Sequence, residues 1–552
     1  MAIDYLKMVN DRKGLFADLF TRMDKDKDLL IQKDFTLFDK DDREAPDVEN
    51  LTLNDAAIFY YHVVSVLIRA GLGREVEGEK LKDKDTSVFE DFFRDYSQAG
   101  DEDLNRMDIP SLYAWNVNQM CGRGRIATRV ILRQEGDTFY PGLLPLDSRY
   151  VIYDIGVKGL KWVALQFNRS KEQIVEEYGE EIGGKLHTTN AIVTDLWHDE
   201  DEIVFIDKTE VKNQKHREAE LPFIIQLCPV GLMFQDGDQI ERSGESVIHL
   251  ARKMYASKNK MASLLDTLNM GAVFGGLQKE VEDEGTAKKP ERPPYGKRFV
   301  VPIKQGTKGY FPMPIADVRR ATGLLYSILD SNIQDATLPR VSYGTLQAPT
   351  SGIGIAQLKE AEDPVYLPRI KGLELYYSRL YQMVKKQYVD KKLDFKMGAR
   401  GFQKQYLWQD LDKEVSIKCK IEIVSPMQNM ANISMAAAVG GLLSEDTKLR
   451  KYLQVENVQE ENNKRLVELA SKVSPVIAKY EMAKAYAERG EEVKARLMAE
   501  EMGLTLDQLL SGKLEQAAPA IKEQEPKQMV SMFGGGQGGM MTKSEEGMME
   551  EG

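Results

Sequence analysis

Residues 246–272, SVIHLARKMYASKNKMASLLDTLNMGA, contain the pattern that decides the fold. Apolar side chains recur there at close to heptad spacing, and basic side chains fall largely between them. The apolar positions are Val247, Ala251, Met254, Met261, Leu265 and Leu268, and the basic positions are Arg252, Lys253, Lys258 and Lys260. This period predicts an amphipathic helix roughly 40 Å long. Such a helix needs a second surface to cover its apolar face.

A second amphipathic helix is predicted to begin near Asp317. Its apolar side chains on one side are Ala321, Leu324, Leu325, Ile328, Leu329 and Ile333. Residues 273–315 between the two helices hold six prolines from Pro290 to Pro314, so they cannot continue either helix. The strand-like run Arg298–Ile303 predicts a small β-containing excursion at this point. The sequence therefore predicts an antiparallel pair of long helices with a small insertion between them.

Residues 1–238 are predicted to form an α+β region that precedes the helix pair. The predicted helices are Ala56–Gly71, Ser111–Met120 and Lys171–Tyr178. The predicted strands are Arg125–Arg133, Tyr150–Asp154, Trp162–Phe167, Ala191–Trp197, Ile203–Asp207 and Leu221–Leu227.

The chain after the second helix is predicted to be a Gly/Pro-rich loop and then mostly helix. The loop covers Leu338–Gly354, and a long helix, Ile355–Val389, follows it with Pro364 and Pro368 inside. An interior proline removes a hydrogen bond, so a kink or a break is expected there. Apolar and polar residues alternate over 414–424, which predicts a half-buried strand. Residues 432–510 are predicted to be helical, and a tail rich in Gly, Met and Glu from about Ser511 is predicted to be disordered.

Composition sets limits on the class of protein. The chain has 552 residues, of which 42% are hydrophobic and 29% charged, so we expect a folded protein of two to four domains. The most apolar run, Ala56–Ile68, is shorter than the roughly 20 residues of a membrane span. The three cysteines, Cys121, Cys228 and Cys419, are far apart and suggest neither a disulfide framework nor a zinc site, so synthesis in a reducing cytoplasm is expected. The net charge of −12 argues against wrapping nucleic acid, but it is compatible with DNA that slides past the protein.

Three segments imitate functional sites. Asp24–Asp28 alternates carboxylates as an EF-hand loop does, but the required glycine and glutamate are missing, so a solvated charged turn is expected. Gly122-Arg123-Gly124-Arg125 is interpreted as turn glycines before a strand. The acidic cluster at 195–202, with His187 and His198 nearby, is interpreted as the solvated end of a strand pair, with a weak cation site as the alternative. Because nucleophile, zinc and Walker motifs are missing from the sequence, we predict no enzyme, no cofactor and no metal.

The order of these elements resembles the portal, or head-to-tail connector, family of tailed bacteriophages, over about residues 50–510. Several local phrases resemble it too: Pro145-Leu146-Asp147 before Val151-Ile152-Tyr153-Asp154, Gly244-Glu245-Ser246 before the first long helix, Ser351-Gly352-Ile353-Gly354-Ile355 after the loop, and Ile423-Val424-Ser425-Pro426-Met427 after the strand. The resemblance implies an α+β portal fold with a wing, a two-helix stem, a clip, a kinked tunnel helix and a helical crown. The implied regions are an N-terminal arm and wing (1–240), stem helix 1 (241–272), a clip (273–315), stem helix 2 (316–337), a tunnel loop (338–354), the kinked wing helix and wing strand (355–427), a crown (428–510) and the tail (511–552).

The resemblance also implies a role and partners. It implies a dodecameric ring at one capsid vertex, a channel for the packaging and ejection of double-stranded DNA, with the protein assembled in the bacterial cytoplasm and resident in the virion. The implied partners are the large terminase subunit, head-completion or adaptor and tail proteins, and the major capsid and scaffolding proteins, without a membrane. Candidate DNA contacts in the tunnel loop are Arg340, Ser342, Tyr343, Thr345 and Gln347. Candidate docking residues in the clip are Lys288, Lys289, Arg292, Lys297 and Arg298.

Two other classes of protein remain open. A non-portal scaffolding or structural protein could assemble its helices as a coiled coil, although the heptad-like stripe ends at Gly271 and coiled coils sustain several heptads. A metal-dependent enzyme that uses the acidic cluster at 195–202 is the third possibility. Negative-stain microscopy would distinguish the three classes. A ring with a central hole supports the portal, a rod supports the coiled coil, and a compact monomer supports the enzyme.

Overall fold

The computed structural model describes residues 4–45, 48–79, 83–136, 138–184, 188–234, 236–274, 277–281, 300–305, 315–338, 352–398, 403–423 and 492–501, with isolated positions elsewhere. The chain divides into two compact units, 1–462 and 463–552. The fold is α+β, as predicted.

The described helices, in chain order, are α1 (Tyr5–Leu15), α2 (Ala17–Leu30), α3 (Asp55–Ile68), α4 (Asp83–Arg106), α5 (Leu112–Gly122), α6 (Lys171–Tyr178), α7 (Glu180–Gly183), α8 (Arg252–Phe274), α9 (Ile315–Ala336), α10 (Gly352–Asp390), α11 (Trp408–Leu411) and α12 (Glu492–Glu501). The described strands are β1 (Gly71–Glu77), β2 (Arg125–Val130), β3 (Arg133–Glu135), β4 (Thr138–Tyr140), β5 (Leu143–Leu146), β6 (Val151–Gly156), β7 (Gly159–Ser170), β8 (Asn190–His198), β9 (Asp201–Ile206), β10 (Thr209–Lys215), β11 (Phe223–Leu227), β12 (Leu277–Val281), β13 (Val300–Lys304), β14 (Asp394–Met397), β15 (Lys404–Leu407) and β16 (Ser416–Glu422).

Five consecutive strands, β6 to β10, form an antiparallel meander in the order β10-β9-β8-β7-β6. The first two helices pack on this sheet, because Val9, Leu19 and Met23 share one buried cluster with Trp162 and Leu196. Apolar burial of this kind contributes about 1.5–3 kcal/mol per large side chain. The N-terminal 30 residues therefore belong to the α+β region and cover one face of its largest sheet.

The smaller sheet, in the order β11-β2-β5, lies under α10. Five tyrosines on α10 are buried in the main core, and the hydroxyls of four of them form hydrogen bonds with other elements as follows. Tyr376 bonds to Thr128, Tyr377 to Asn116, Tyr381 to Ser97 and Tyr388 to the carbonyl of Tyr406. Buried hydroxyls need such partners. Helix α10 is thus a central strut that joins α4, α5, β2 and β15.

Four two-stranded pairings are also present among the described residues, and two of them, β3 with β4 and β14 with β15, are short hairpins. Strand β1 pairs antiparallel with β16, so that Gly71–Glu77 lies beside Ser416–Glu422, and Ile417, Cys419 and Ile421 face the core. Strand β12 pairs with β13 in parallel, between α8 and α9. The half-buried strand predicted over 414–424 and the β-containing insertion are both confirmed.

The structure corrects several predictions. Helices α1, α2 and α4 and strand β1 were not predicted, and Arg125–Arg133 is two strands, β2 and β3. The first long helix begins at Arg252, because residues 247–251 form turns. Asp24–Asp28 lies inside α2, so it is not a solvated turn. Lys258 is buried, although its position in the period placed it off the apolar stripe. Helix α10 continues through both Pro364 and Pro368, so neither proline ends it.

Candidate functional site

The side chains predicted to contact DNA or to dock partners lie outside the described residues. These are the tunnel-loop set, Arg340, Ser342, Tyr343, Thr345 and Gln347, and the clip set, Lys288, Lys289, Arg292, Lys297 and Arg298. Most of the crown and all of the tail lie outside them as well. The structure does describe the junction between the α+β region and the helix pair, including the side chains that contact each other there.

The junction is the linker 240–246, which leads from the α+β region to α8. Three arginines from three different elements donate hydrogen bonds to its backbone carbonyls. Arg22 of α2 donates to Glu241 and Gly244, Arg125 of β2 donates to Ile240 and Ser243, and Arg369 of α10 donates to Ser246. All three guanidinium groups are buried. Five carbonyls of one short segment are therefore fixed from three directions.

Two buried carboxylates complete the junction cluster, which we define as Arg22, Asp26, Arg125, Glu245, Arg252 and Arg369. Arg252, at the start of α8, donates to both oxygens of Asp26 and, over 2.5 Å, to Glu245. The Ser246 hydroxyl donates to Asp26 over 2.7 Å, and Arg22 lies 3.4 Å from Glu245. Asp26 and Glu245 are 1% and 3% exposed. Buried charges persist in proteins when they are paired and hydrogen-bonded in this manner.

The junction cluster contains four guanidinium groups and two carboxylates, an excess of two positive charges. Burial lowers the pKa of Arg22 to about 10, and it also lowers the pKa of Arg125. Burial acts in the same direction on Arg252, but hydrogen bonds to Asp26 and Glu245 outweigh it and raise the pKa of Arg252 above its ordinary value. The partial negative charges of the five linker carbonyls supply the remaining compensation. The arrangement is suited to holding the linker rigidly, since its charged groups already have partners.

Two glycines allow the backbones to meet at the junction. Gly124 has a φ of +71° and Gly244 a φ of +65°, a region that favours glycine. A Cβ atom on Gly124 would lie 2.0 Å from the carbonyl oxygen of Gly244, and one on Gly244 would lie 2.7 Å from that of Gly124. The interpretation of Gly124 as a turn glycine is therefore confirmed, whereas Gly122, which was interpreted in the same way, is the last residue of helix α5. Its flanking arginine, Arg125, belongs to the junction cluster, a role that the sequence did not reveal.

A second contact joins α8 to α9. The Lys258 ammonium group lies 2.9 Å from Asp330 of α9 and 2.9 Å from Asp55 at the start of α3, and it lies over the Tyr326 ring. Burial lowers the pKa of Lys258, and hydrogen bonds to Asp55 and Asp330 more than restore it, so the pKa lies above the ordinary value. One cation thus links both long helices to the α+β region.

An extended segment runs along another side of α8. The backbone N–H groups of Leu53, Leu51 and Glu49 donate to the side chains of Asn259, Ser263 and Thr267, over 3.1, 2.9 and 3.0 Å respectively. Four helical residues rise about 6 Å, and two extended residues span nearly the same distance. The spacing of every fourth residue on the helix therefore matches the spacing of alternate residues on the segment. Helix side chains accept the backbone hydrogen bonds that a neighbouring β-strand would otherwise accept.

The outer face of α9 has no cover within the described residues. Leu324, Leu325 and Ile328 are 65%, 44% and 48% exposed, whereas Ile333 on the opposite side is buried. We call these three residues the α9 stripe. They belong to the apolar set that predicted this helix, and the described part of the chain leaves them exposed.

The acidic segments that imitate metal sites are engaged in ion pairs. Asp24 pairs with Arg149, and Asp195 pairs with Arg129. Glu200 and Glu202 pair with Lys215 and Lys212. His187 lies outside the described residues. Among the residues that the structure describes, no group of three or more His, Cys, Asp or Glu side chains could hold a metal ion. In the same part of the chain, every helix is too short or too polar to cross a membrane.

Comparison with known proteins gives distant structural similarity. No protein-family model matches the chain, and no curated protein matches it. The chain is similar to a solved chain from the virion of a native gene transfer agent particle, with 10% identity, a TM-score of 0.31, and coverage of 71% of this chain and 88% of that one. A chain from the neck of an empty gene transfer agent particle, computed with C6 symmetry, gives 11% identity, a TM-score of 0.30 and coverage of 71% and 88%. A chain from the neck of a native particle, computed with C12 symmetry, gives 13% identity, a TM-score of 0.26 and coverage of 70% and 98%.

Proposed function

We propose that this chain is a portal subunit, which assembles as a dodecameric ring at one capsid vertex. The ring forms the channel for packaging and ejecting double-stranded DNA. It also provides the docking platform for the large terminase subunit and then for the head-to-tail adaptor proteins. In this proposal the protein is structural, without catalytic residues of its own.

The single observation that carries the proposal is the α9 stripe. Three large aliphatic side chains on one exposed helix face cost solvation free energy in a lone copy, at about 25 cal/mol per Å² of apolar surface. A soluble monomer seldom leaves such a face open unless a partner covers it. A closed ring covers it in every copy with one repeated contact.

Two further features of the first unit support this reading. The helix pair α8 and α9 brackets the β12–β13 insertion, as a stem brackets a clip in the portal resemblance. The junction cluster fixes the root of α8 against α2, β2 and α10. A channel through which DNA is driven needs helices that keep their tilt under load. A buried root that is held by hydrogen bonds from several elements is a physical means to that end.

The acidic net charge suits transit of DNA, because few phosphates would be neutralised by the ring. We propose that Arg340 and its neighbours in the tunnel loop make the transient DNA contacts, and that the basic clip residues meet the terminase. Arg340→Glu should reduce DNA packaging and retention in assembled heads, with Arg217→Glu, outside both segments, as the matched charge reversal. Unchanged packaging in Arg340→Glu would remove that residue from the proposal.

The decisive experiment is microscopy of the purified full chain in negative stain, combined with light scattering for mass. We expect rings with a central hole. A rod would favour the alternative, a helical scaffolding or structural oligomer. A stable, monodisperse single copy would contradict the portal proposal.

A further inference from the structure

A cavity of about 880 Å³ lies beside the junction, between α2, the segment 32–36 and the first two turns of α8. Its volume is within the range of roughly 300–1,000 Å³ that is typical of small-ligand sites. Buried side chains form its inner end, among them Arg22 and Tyr255, which are 3% and 4% exposed. Lys25 and Lys253 are exposed at its rim. The lining therefore reaches from solvent to the buried charges of the junction cluster.

Three arginines of the junction cluster each contain a buried donor that is not used. Arg22, Arg125 and Arg369 donate to linker carbonyls through their terminal nitrogens. Their Nε–H groups have no hydrogen-bond partner in the described part of the chain. A buried donor without a partner is destabilising, above all on a charged group. Of these three side chains, Arg22 lines the cavity, so an acceptor atom bound there would satisfy it.

The charged side chains around the cavity have a positive excess. Six basic side chains line it: Arg22, Lys25, Lys33, Arg242, Arg252 and Lys253. Four acidic side chains line it: Asp18, Asp28, Asp34 and Glu241. The rest of the junction cluster adds two arginines and two carboxylates, so the excess of two positive charges remains. The linker carbonyls offset it locally, but dipoles carry no net charge. His249 also lines the cavity, and burial together with Arg369 lowers its pKa, so it adds no charge at neutral pH.

The carboxylates on the lining leave the inner end of the cavity open to an anion. Two of them are paired, Asp28 with Lys33 and Glu241 with Arg242, and the other two, Asp18 and Asp34, are exposed at the rim. Water screens charges at an exposed rim. The carboxylate partners of Arg22 and Arg252 do not line the cavity. A ligand at the inner end therefore meets guanidinium groups and not carboxylates.

We propose that this cavity binds a small oxyanion of the phosphate class, with Arg22 at the inner end and Lys25 and Lys253 at the rim. The negative charge of phosphate offsets the positive excess, which a neutral ligand cannot do. Guanidinium groups bind phosphate oxygens through charge-assisted hydrogen bonds. A bound oxyanion would link α2 to the start of α8 and brace the junction. This inference goes beyond the proposed function and does not depend on ring formation.

Equilibrium dialysis of the full chain against labelled inorganic phosphate tests the site. We expect one saturable site per chain, competition by sulfate, and no competition by chloride at the same ionic strength. Lys25→Glu and Lys253→Glu should each weaken binding by about fivefold, and the double variant by at least about tenfold. Lys27→Glu and Lys260→Glu are the matched controls, because these exposed lysines lie on the same two helices and do not line the cavity. Binding that does not saturate, or an equal loss in rim and control variants, would overturn the inference.

A short DNA duplex, added as competitor, separates the two sources of phosphate. The duplex should leave the labelled phosphate bound, because Arg22 lies too deep for a phosphate on a helical backbone to reach it. Displacement of the label by the duplex would assign the cavity to DNA and overturn the small-ion inference.

Hydrogen exchange of the unaltered chain provides a test that needs no variant. Phosphate should slow exchange in α2 and in the linker 240–246, and it should leave β8 and β9 of the five-stranded sheet unchanged. Equal slowing in all of these elements would indicate general stabilisation by salt and would overturn the site. Microscopy of the assembled protein tests the portal proposal separately, so failure of either one does not decide the other.

Discussion

Arg252, the first residue of α8, donates two hydrogen bonds to the carboxylate of Asp26 in α2, a residue 226 positions earlier in the chain. This contact anchors the root of the long helix to a helix that packs on the five-stranded sheet. The same guanidinium group reaches Glu245, so the last residues before α8 and the N-terminal region share one cation. The direction of the helix pair is therefore set by charges that are distant in sequence.

Asp26→Asn should destabilise the first unit strongly. The change removes one of the two carboxylates that balance the charge of Arg252 inside the protein, and breaking a buried charge pair typically costs about 3–5 kcal/mol. Differential scanning calorimetry of the purified protein measures the effect as a lower Tm. Asp28→Asn is the matched control, because Asp28 lies on the same helix and, within the described ranges, pairs only with Lys33 at the surface. Equal effects in the two variants would contradict a special role for the junction cluster.

Gly124→Ala should be among the most damaging single-methyl changes in the chain. The added Cβ would lie 2.0 Å from the Gly244 carbonyl oxygen, so strand β2 and the linker would have to separate. Gly136→Ala is the control, since Gly136 has a similar φ of +62° and nothing within 4 Å of the added atom. The control should cost only the backbone strain, about 1–2 kcal/mol. Thermal unfolding of both variants separates close approach from strain, and similar Tm losses would refute the argument.

The sequence predicted the elements that carry strong periodicity. Alternation over 414–424 gave β16, because its alternate residues Ile417, Cys419 and Ile421 are buried against the core. The heptad-like spacing gave α8, although Met254, Met261, Leu265 and Leu268 of the predicted stripe are only partly buried. Helices α1 and α2 were missed because charged residues interrupt their apolar spacing, as in the Asp24–Asp28 run. Helix α4 was missed although Phe89, Phe92, Phe93 and Tyr96 recur at helical spacing and are buried. The charged residues of Asp24–Asp28 lie within α2, and one of them, Asp26, is buried. The local sequence could not indicate this burial, because the partners of Asp26 are distant in the chain.

The candidate site was predictable only in part. The apolar set on α9 predicted an amphipathic helix, and the structure then showed which members stay exposed. Lys258 was expected on a solvated face, but Asp55 and Asp330 from two other elements make its burial favourable. The junction cluster combines residues from α2, β2, α8 and α10, and its only local signals were the glycines around Arg123 and the Gly244-Glu245-Ser246 phrase. Contacts between residues that are far apart in the chain produce no periodic pattern in a single sequence, so the sequence could not predict this cluster.

Ser263→Ala should loosen the extended segment 49–53, which lies along α8, without unfolding the chain. The N–H group of Leu51 would lose its acceptor, at a cost of about 1–3 kcal/mol. Hydrogen exchange followed by mass spectrometry should show faster exchange over residues 49–53, with the helix α8 amides little changed. Ser257→Ala, at an exposed position of α8, is the matched control. Unchanged exchange at Leu51 would mean that the serine hydroxyl does not hold the segment.

Asp195 should make stability depend on pH in the acidic range. Burial raises the pKa of Asp195 from 3.8 to about 6, and Arg129 offsets this only in part. Between these two values the folded state keeps its proton while the unfolded state has lost it, so the folded state binds more protons. Stability therefore falls as pH rises through this window and levels off above pH 6.

The size of that loss is on the order of 1–3 kcal/mol, since one pKa unit corresponds to about 1.4 kcal/mol. Asp195→Asn cannot titrate, so the difference in unfolding free energy between it and the native chain should change from pH 4 to pH 6. Asp199→Asn, at a neighbouring exposed carboxylate, should leave the native pH dependence in place. Parallel pH profiles for the native chain and Asp195→Asn would contradict this assignment.

Lys258→Met should uncouple α8 from α9 more than it unfolds the rest of the first unit. Methionine retains much of the aliphatic stem but leaves Asp55 and Asp330 without their shared cation. Because these carboxylates are 35% and 24% exposed, water compensates in part, and the cost should be about 1–3 kcal/mol. Hydrogen exchange should increase in α9 around Tyr326 and Ile333, while the core of the five-stranded sheet keeps its protection. Lys260→Met, two residues along on the exposed side of α8, should leave both regions unchanged. If the two variants exchange alike, α9 must be held by its apolar contacts alone, and the ammonium group would have no part in aligning the two long helices.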